Sequence, residues 1–413
     1  MKTPAINFSG DRTIWIVTVM LSIISLLVVY SASYSLAFNS KGSSAEYYLF
    51  KHAFITLAGL GLMYWVHKIP YRKFATAALY LLFFAILFLV FLMFFSSTSI
   101  NEAKRWIKIP LLGLTFQPSE LAKLAIITYV AREMHRRQAI LYSFKEGFIH
   151  VLWPVVLVVL LILPSNFSTA ALIMFVCFMM FLVGGAHWKH LTLLFLGGIL
   201  LMGSVIFVGK NFPKVFPRAA TWNERIMGRL EQKPEDVAAR LADPDDFQQE
   251  QARIAIANGG LLGRGPGKSI QRNFLPSAFS DFIFAIFIEE YGLIGGSILL
   301  LLYLILLYRG IAIALRSNTI FSSLLAFGIT FSILVNAYVN MMVALGIGPV
   351  TGQTLPLMSM GGTSLLFTCV MLGMLQSVAR GGDAPDTIEA PEEETGETED
   401  LVPNPENPKS EPV

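Results

Sequence analysis

The stretch FATAALYLLFFAILFLVFLMFF, from Phe74 to Phe95, holds no charged residue and decides the fold class. As a helix rising 1.5 Å per residue, such a run crosses a hydrocarbon core of about 30 Å. At that depth no water reaches the backbone, so a span must satisfy its own hydrogen bonds, and the run reads as a helix. A membrane β-strand would alternate apolar and polar residues, and this run does not. Comparable runs recur along the chain. They place spans at roughly 13–36, 52–67, 74–96, 118–131, 149–163, 168–185, 191–209, 282–308, 318–346 and 355–379. The two shortest, 118–131 and 149–163, are expected to be extended by their flanks. The fold class is therefore all-α: a polytopic integral membrane protein with about ten transmembrane helices and one large outer loop.

Composition agrees. Of 413 residues, 54% are hydrophobic and 14% charged, more apolar surface than a soluble domain can cover. The first run, Thr13 to Phe38, is too long for a signal peptide and lacks a small-residue cleavage site, so it reads as a retained first helix. Cys177 and Cys369 both lie in apolar runs and read as small core hydrophobes.

The net charge of +3 hides an asymmetry. From Arg380 to Val413 there are eleven acidic and two basic residues; the rest of the chain keeps 17 acidic and 29 basic, a balance of +12. That fits an anionic lipid or substrate, although ordinary topology charge explains much of it. Short loops on one side carry Lys2, Arg12, Lys68, Arg72, Lys73, Arg132, Arg136, Arg137, Lys145, Lys189, Arg309, Arg316 and Arg380. Those on the other carry Lys41, Lys51, Lys104, Arg105 and Lys108. The richer side is expected to be cytoplasmic, with both termini on it. Residues 210–280 then form the large outer loop of a membrane domain spanning 1–380. Within the loop, Trp222 to Gln251 is charged and is expected to hold short amphipathic helices, and Gly259 to Gly267 reads as a glycine-rich turn. Residues 381–413 form an acidic cytoplasmic tail, expected to be disordered.

Charges at membrane depth are costly and each needs a reason. Glu120 and Lys123, three residues apart, share a helix face and can pair; a structural pair and a functional one weigh equally here. Gln117-Pro118-Ser119 opens that span, with Lys104, Arg105, Trp106 and Lys108 just before it. Cations beside a helix N-terminus suit a diphosphate, and they equally suit an interfacial anchor. Asp281 ends the outer loop. It reads either as a helix cap or as a general base within reach of a hydroxyl. Glu289 and Glu290 lie two turns deeper, lining a polar cavity or pairing with a base such as Lys123. Gly348 to Ser364 breaks the start of the last span with Gly and Pro, a sign of irregular backbone sheltered by protein or a wet cavity. Close helix packing through small residues explains most of those glycines. Asn336 and Asn340 add polar groups in the span before. No nucleotide-binding loop, metal-ligand spacing or Ser/His/Asp pattern is visible, and nothing points to nucleic acid. Chemistry on the outer face would need a substrate that arrives already activated.

Six motifs in order carry a resemblance. The first two are Lys104-Arg105-Trp106-Ile107 and Gln117-Pro118-Ser119-Glu120-Leu121-Ala122-Lys123. Next come Phe247-Gln248-x-x-Gln251 and Ala255-Ile256-Ala257-x-Gly259-Gly260-x-x-Gly263-x-Gly265. The last two are Asp281-Phe282-Ile283-Phe284-Ala285 with Glu289-Glu290-x-Gly292, and Pro349-x-Thr351-Gly352-x-x-Leu355-Pro356-x-x-Ser359-x-Gly361-Gly362. From about residue 13 to 380 the chain resembles the SEDS proteins (shape, elongation, division and sporulation), the RodA/FtsW-type peptidoglycan glycosyltransferases, with wording closer to the division type.

The resemblance implies polymerisation of lipid II, a disaccharide-peptide on an undecaprenyl diphosphate, with Asp281 as the catalytic residue. It implies a substrate site drawn from Lys104, Arg105, Lys108, Gln117, Ser119, Glu120, Lys123, Gln251, Glu289, Glu290 and Ser359. A divalent cation at the diphosphate would suit this chemistry, but no ligand set is visible. The implied partners are a single-span class B penicillin-binding transpeptidase and other division-complex membrane proteins. Two departures stand out. Pro164-Ser165-Asn166-Phe167-Ser168-Thr169 replaces the family's Pro-Asp-x-Gly-Thr, and Lys104 stands where Arg is frequent. Lys keeps the charge and loses the bidentate fork. The rival functions are a flippase for lipid-linked precursors, an elongation-type polymerase and a non-catalytic scaffold for division proteins.

Overall fold

The computed structural model describes residues 10–34, 44–95, 107–109, 114–211, 244–275 and 278–381. Of the stretch Trp222 to Gln251, expected to hold short amphipathic helices, 222–243 lie outside the described residues and 244–251 are helical; the acidic tail also lies outside them. Met1–Asp383 is one compact unit.

Its helices are α1 (Arg12–Ala32), α2 (Ala45–Val66), α3 (Tyr71–Phe95), α4 (Pro118–Arg136), α5 (Ile149–Ile162), α6 (Phe167–Val183), α7 (Trp188–Asn211), α8 (Pro244–Gly259), α9 (Ile283–Arg316), α10 (Ile320–Ala344) and α11 (Thr363–Gly381). A small hairpin pairs β1 (Ile107–Ile109) with β2 (Leu114–Phe116). Each of the ten expected spans has its helix. Seven are long and apolar enough to cross a membrane, with α5 reaching that length through a π turn at Phe144–Phe148; α6 and the first part of α7 are shorter apolar helices. The tenth, α4, carries charge and is buried along nearly its whole length among other helices rather than against lipid. The α2 helix starts at Ala45 instead of 52, capped by Ser44. The last helix starts at Thr363 instead of 355.

Antiparallel chain direction sorts the helix ends. At one end Asp11 caps α1 by accepting from Ile14 N–H at 3.2 Å and pairs with Arg309 of α9. Its backbone exchanges two hydrogen bonds with the Gln376 amide of α11, at 2.7 and 2.8 Å. Arg380 of α11 donates to the Lys68 carbonyl after α2 at 2.8 Å. At the opposite end lie the N-termini of α4, α6, α9 and α11, gathered around residues 349–362.

The α9 helix is broken at Gly292, whose φ of 69° and ψ of −174° belong to glycine almost alone. A break at this depth exposes backbone groups that lipid cannot satisfy. The turn after α8 fills it. Arg264 and Gly265 N–H donate to the Glu289 and Glu290 carbonyls, both at 2.9 Å. Leu293 and Ile294 N–H donate back to the Gly260 and Leu261 carbonyls at 2.9 and 3.2 Å. A Cβ at Gly263 would collide with the Glu290 carbonyl, and one at Gly292 with that of Leu261. The glycine-rich turn and the Glu-Glu-x-Gly motif are thus two halves of one joint, which ties the segment after α8 to the helix that follows Asp281.

Candidate active site

Asp281 sits in the turn ahead of α9 and is partly exposed. The cap position of the helix belongs to Phe282, which offers no capping side chain. The Asp281 carboxylate accepts from its neighbour, the Ser280 hydroxyl, at 2.7 Å.

Its backbone is pinned from three sides. The Asn340 amide of α10 donates to the Asp281 carbonyl at 2.8 Å and to the Gln353 carbonyl at 2.7 Å. The Ser359 hydroxyl donates to the Ser280 carbonyl at 2.6 Å and accepts from Leu355 N–H at 2.8 Å. Met360 N–H donates to the Phe279 carbonyl at 3.0 Å.

The 349–362 segment that supplies these contacts is irregular and itself held on several sides. The Gln353 side chain donates to Thr169 Oγ1 in the first turn of α6 at 2.7 Å. Ser25 of α1 donates to the Met358 carbonyl at 2.7 Å, and Tyr303 of α9 to that of Pro356. Leu357, buried, has a φ of 62°, the single positive value at a non-glycine among the described residues. Strain of this kind, about 1–3 kcal/mol, persists only where the surroundings overdetermine it.

The N-terminus of α4 joins the same region. Gln117 N–H donates to the Thr363 hydroxyl of α11 at 3.3 Å, and Thr363 in turn to the Thr115 carbonyl of β2 at 3.1 Å. The Gln117 side chain donates to Ser119 Oγ at 3.0 Å. Four helix N-termini, those of α4, α6, α9 and α11, therefore gather around Asp281's turn and the segment that braces it. Each presents the positive end of a dipole, so together they favour an anion.

Glu120 and Lys123 lie one turn into α4, 4% and 3% exposed, and pair with each other at 3.1 Å. Lys123 also borders a void of about 10 Å³ with Asn336 and Ser332, room for about one water. Breaking a buried pair strands one charge, at a cost of about 3–5 kcal/mol. Lys123→Ala is therefore expected to lower the melting temperature of the purified protein well below that of Glu120→Gln/Lys123→Met, in which both charges are gone. Equal melting of the two would mean that the pair is not what holds these helices.

Glu289 and Glu290 do not reach Lys123. Glu289, fully buried, accepts from the Ser269 hydroxyl and from Ile270 and Gln271 N–H, both at 3.2 Å. It orders the stretch from Ser269 to Gln271, ahead of Asp281. Glu290 accepts from Ser31 of α1, and Ser31 accepts from Arg272 at 2.9 Å, so the loop, α1 and α9 share one polar knot. Gln251 is half-buried on α8. Lys108 lies in β1 opposite Thr115. Lys104 and Arg105 lie outside the described residues. Asn166, where the family shows Asp, caps α6 through Oδ1 to Thr169 N–H at 3.2 Å, a task either side chain can perform. Among the described residues, no three His, Cys, Asp or Glu side chains are grouped as a metal would need.

Reading single residues in sequence missed Thr169, Gln353, Thr363, Ser31 and Arg272. Gln353 stood inside a quoted motif, but its partner is 184 residues away in sequence.

The family model for cell cycle proteins of the FtsW/RodA/SpoVE type matches residues 11–383. The chain belongs to this family. It is 33% identical over 375 residues to the probable peptidoglycan glycosyltransferase FtsW of Geobacter sulfurreducens, covering 89% of this chain and 95% of that one. It is 34% identical over 378 residues to the stage V sporulation protein E of Bacillus subtilis, covering 90% and 97%. Among solved structures, a chain described under "structural coordination of polymerization and crosslinking by a peptidoglycan synthase complex" superposes with a TM-score of 0.70 at 26% identity, over 91% of this chain and 99% of that one. The rod shape determining protein RodA of Thermus thermophilus shares the fold, with a TM-score of 0.63 at 24% identity over 91% of this chain and 98% of that one. The chain is thus a multi-pass membrane protein of the SEDS type, and several of its relatives are named probable peptidoglycan glycosyltransferases FtsW.

Proposed function

We propose that the gathered helix ends around Asp281 are the glycosyl-transfer centre of a division-type peptidoglycan glycosyltransferase, and that its substrate is lipid II. Family membership and the names of the relatives carry the enzyme class. The observation that carries the site is the bracing of Asp281's turn by Asn340, Ser359 and Met360 at the convergence of four helix N-termini.

The chemistry follows from that placement. The Asp281 carboxylate takes the proton from the acceptor sugar's 4-hydroxyl as that oxygen attacks the donor's anomeric carbon. The carbon–oxygen bond to the diphosphate breaks and its electron pair leaves with the phosphate. The helix N-termini stabilise the growing negative charge, with Lys108, Arg105 and Lys104 supplied by the preceding segment. The bond energy comes with the substrate, so no nucleotide enters. Lys123, buried one turn into α4, is held by Glu120.

Loop charge orients this end outward from a bacterial inner membrane, with both termini cytoplasmic. The related complex, which coordinates polymerization and crosslinking, supports a class B penicillin-binding transpeptidase as partner; other division-complex membrane proteins rest on the family resemblance alone.

The test is nucleotide-free reconstitution of the chain and its transpeptidase with lipid II. Glycan strands are expected on a gel. Transfer of labelled lipid II across the bilayer with no polymer would instead support the flippase reading.

A further inference from the structure

We infer that Asn340 and Ser359 are positioning residues for Asp281, a two-point clamp that fixes the turn from which the carboxylate projects. The inference rests on the reading of Asp281 as the base. Asp281 lies one residue ahead of the helix cap, and its carboxylate accepts from the Ser280 hydroxyl of the same turn. Where that carboxylate stands therefore follows where the turn is held. Two successive carbonyls of that turn, Ser280 and Asp281, are each gripped by a side chain from a different element. The grips come at 2.6 Å from Ser359 and at 2.8 Å from Asn340.

Both donor side chains are almost wholly buried, at 2% and 1% exposure, while the turn they hold is partly exposed. Both are also bridges. Asn340 spends its amide N–H groups on Asp281 and Gln353, and Ser359 joins Ser280 to Leu355. The turn is thereby locked to the 349–362 segment, and through Gln353 to α6.

The cost of the arrangement points the same way. Asn340 Oδ1 is buried with no hydrogen-bond partner in the protein. A buried amide oxygen without a protein partner is costly, and the two bonds of the Asn340 nitrogen to carbonyls offset that cost. The single proton of the Ser359 hydroxyl is committed to the Ser280 carbonyl, and its oxygen accepts from Leu355 N–H.

The experiment compares wild type, Asn340→Asp, Ser359→Ala and Asp281→Asn in complex with the transpeptidase. Polymerisation rate is measured against lipid II concentration, and turnover is normalised to the stoichiometry of bound lipid II so that misfolded protein does not count. Asn340→Asp keeps the side-chain volume and turns a donor into an acceptor facing two carbonyls. Ser359→Ala removes one small hydroxyl and is the variant least able to disturb folding.

Both are expected to lower kcat about tenfold or more while KM stays within about twofold. Normalised kcat within twofold of wild type in both variants, with Asp281→Asn inactive, would overturn the clamp and leave the base in place. Wild-type turnover in Asp281→Asn would overturn the reading beneath it. A rise in KM with kcat unchanged would also overturn the clamp, returning Ser359 to direct substrate contact.

Discussion

Gly292→Ala should abolish accumulation of folded protein in the membrane. Glycine alone is at ease at φ 69° and ψ −174°, and for another residue the conformation costs about 1–3 kcal/mol. The added Cβ would also meet the Leu261 carbonyl and the Gly263 N–H. Relieving that clash pulls apart the four backbone hydrogen bonds that join the glycine-rich turn to the break in α9. Glu289 and Glu290 are buried, and each carbonyl left unmet there costs about 1–3 kcal/mol, a large share of the stability of an ordinary domain. The control is Gly61→Ala on α2, where a Cβ would meet nothing within 4 Å. Size-exclusion of detergent-extracted protein should show a folded peak for Gly61→Ala and none for Gly292→Ala. Two equal peaks would mean that the joint is incidental.

Asp281→Asn should lower the polymerisation rate at saturating lipid II by about 10²–10⁴-fold, the usual contribution of a positioned general base. Asparagine has nearly the same shape and can still accept from the Ser280 hydroxyl, so folding and lipid II affinity should be close to those of wild type. The residual rate is the share of the helix N-termini and the flanking cations, which act on the leaving group and not on the attacking one. A rise in KM with an unchanged maximal rate would instead make Asp281 a binding group.

Much of this architecture is legible in sequence because the bilayer imposes so simple a rule. A run such as Phe74 to Phe95 has one way to satisfy its backbone, so hydropathy locates the helices. The edges are less legible where glycine and proline accumulate: residues 355–362 are as apolar as a span but form the brace beneath Asp281. Pairings across long sequence distances are not legible at all. Glu289 and Glu290 stand out as costly acids, but nothing in their spacing says that one orders Ser269 to Gln271 and the other meets Ser31 of α1. Asn340 is likewise an ordinary polar residue in a span until Asp281 and Gln353 are seen on either side of its amide. Asp281 itself drew notice from its place at a span boundary, and the family resemblance supplied its role.

The central claim is that turnover needs the Asp281 carboxylate free of its proton, and a pH–rate profile tests it most directly. The rate at saturating lipid II should fall on the acid side with the slope of one proton in the wild type, and the small residual rate of Asp281→Asn should show no such limb. An Asp281→Asn protein that keeps both the wild-type rate and its acid limb would contradict the account.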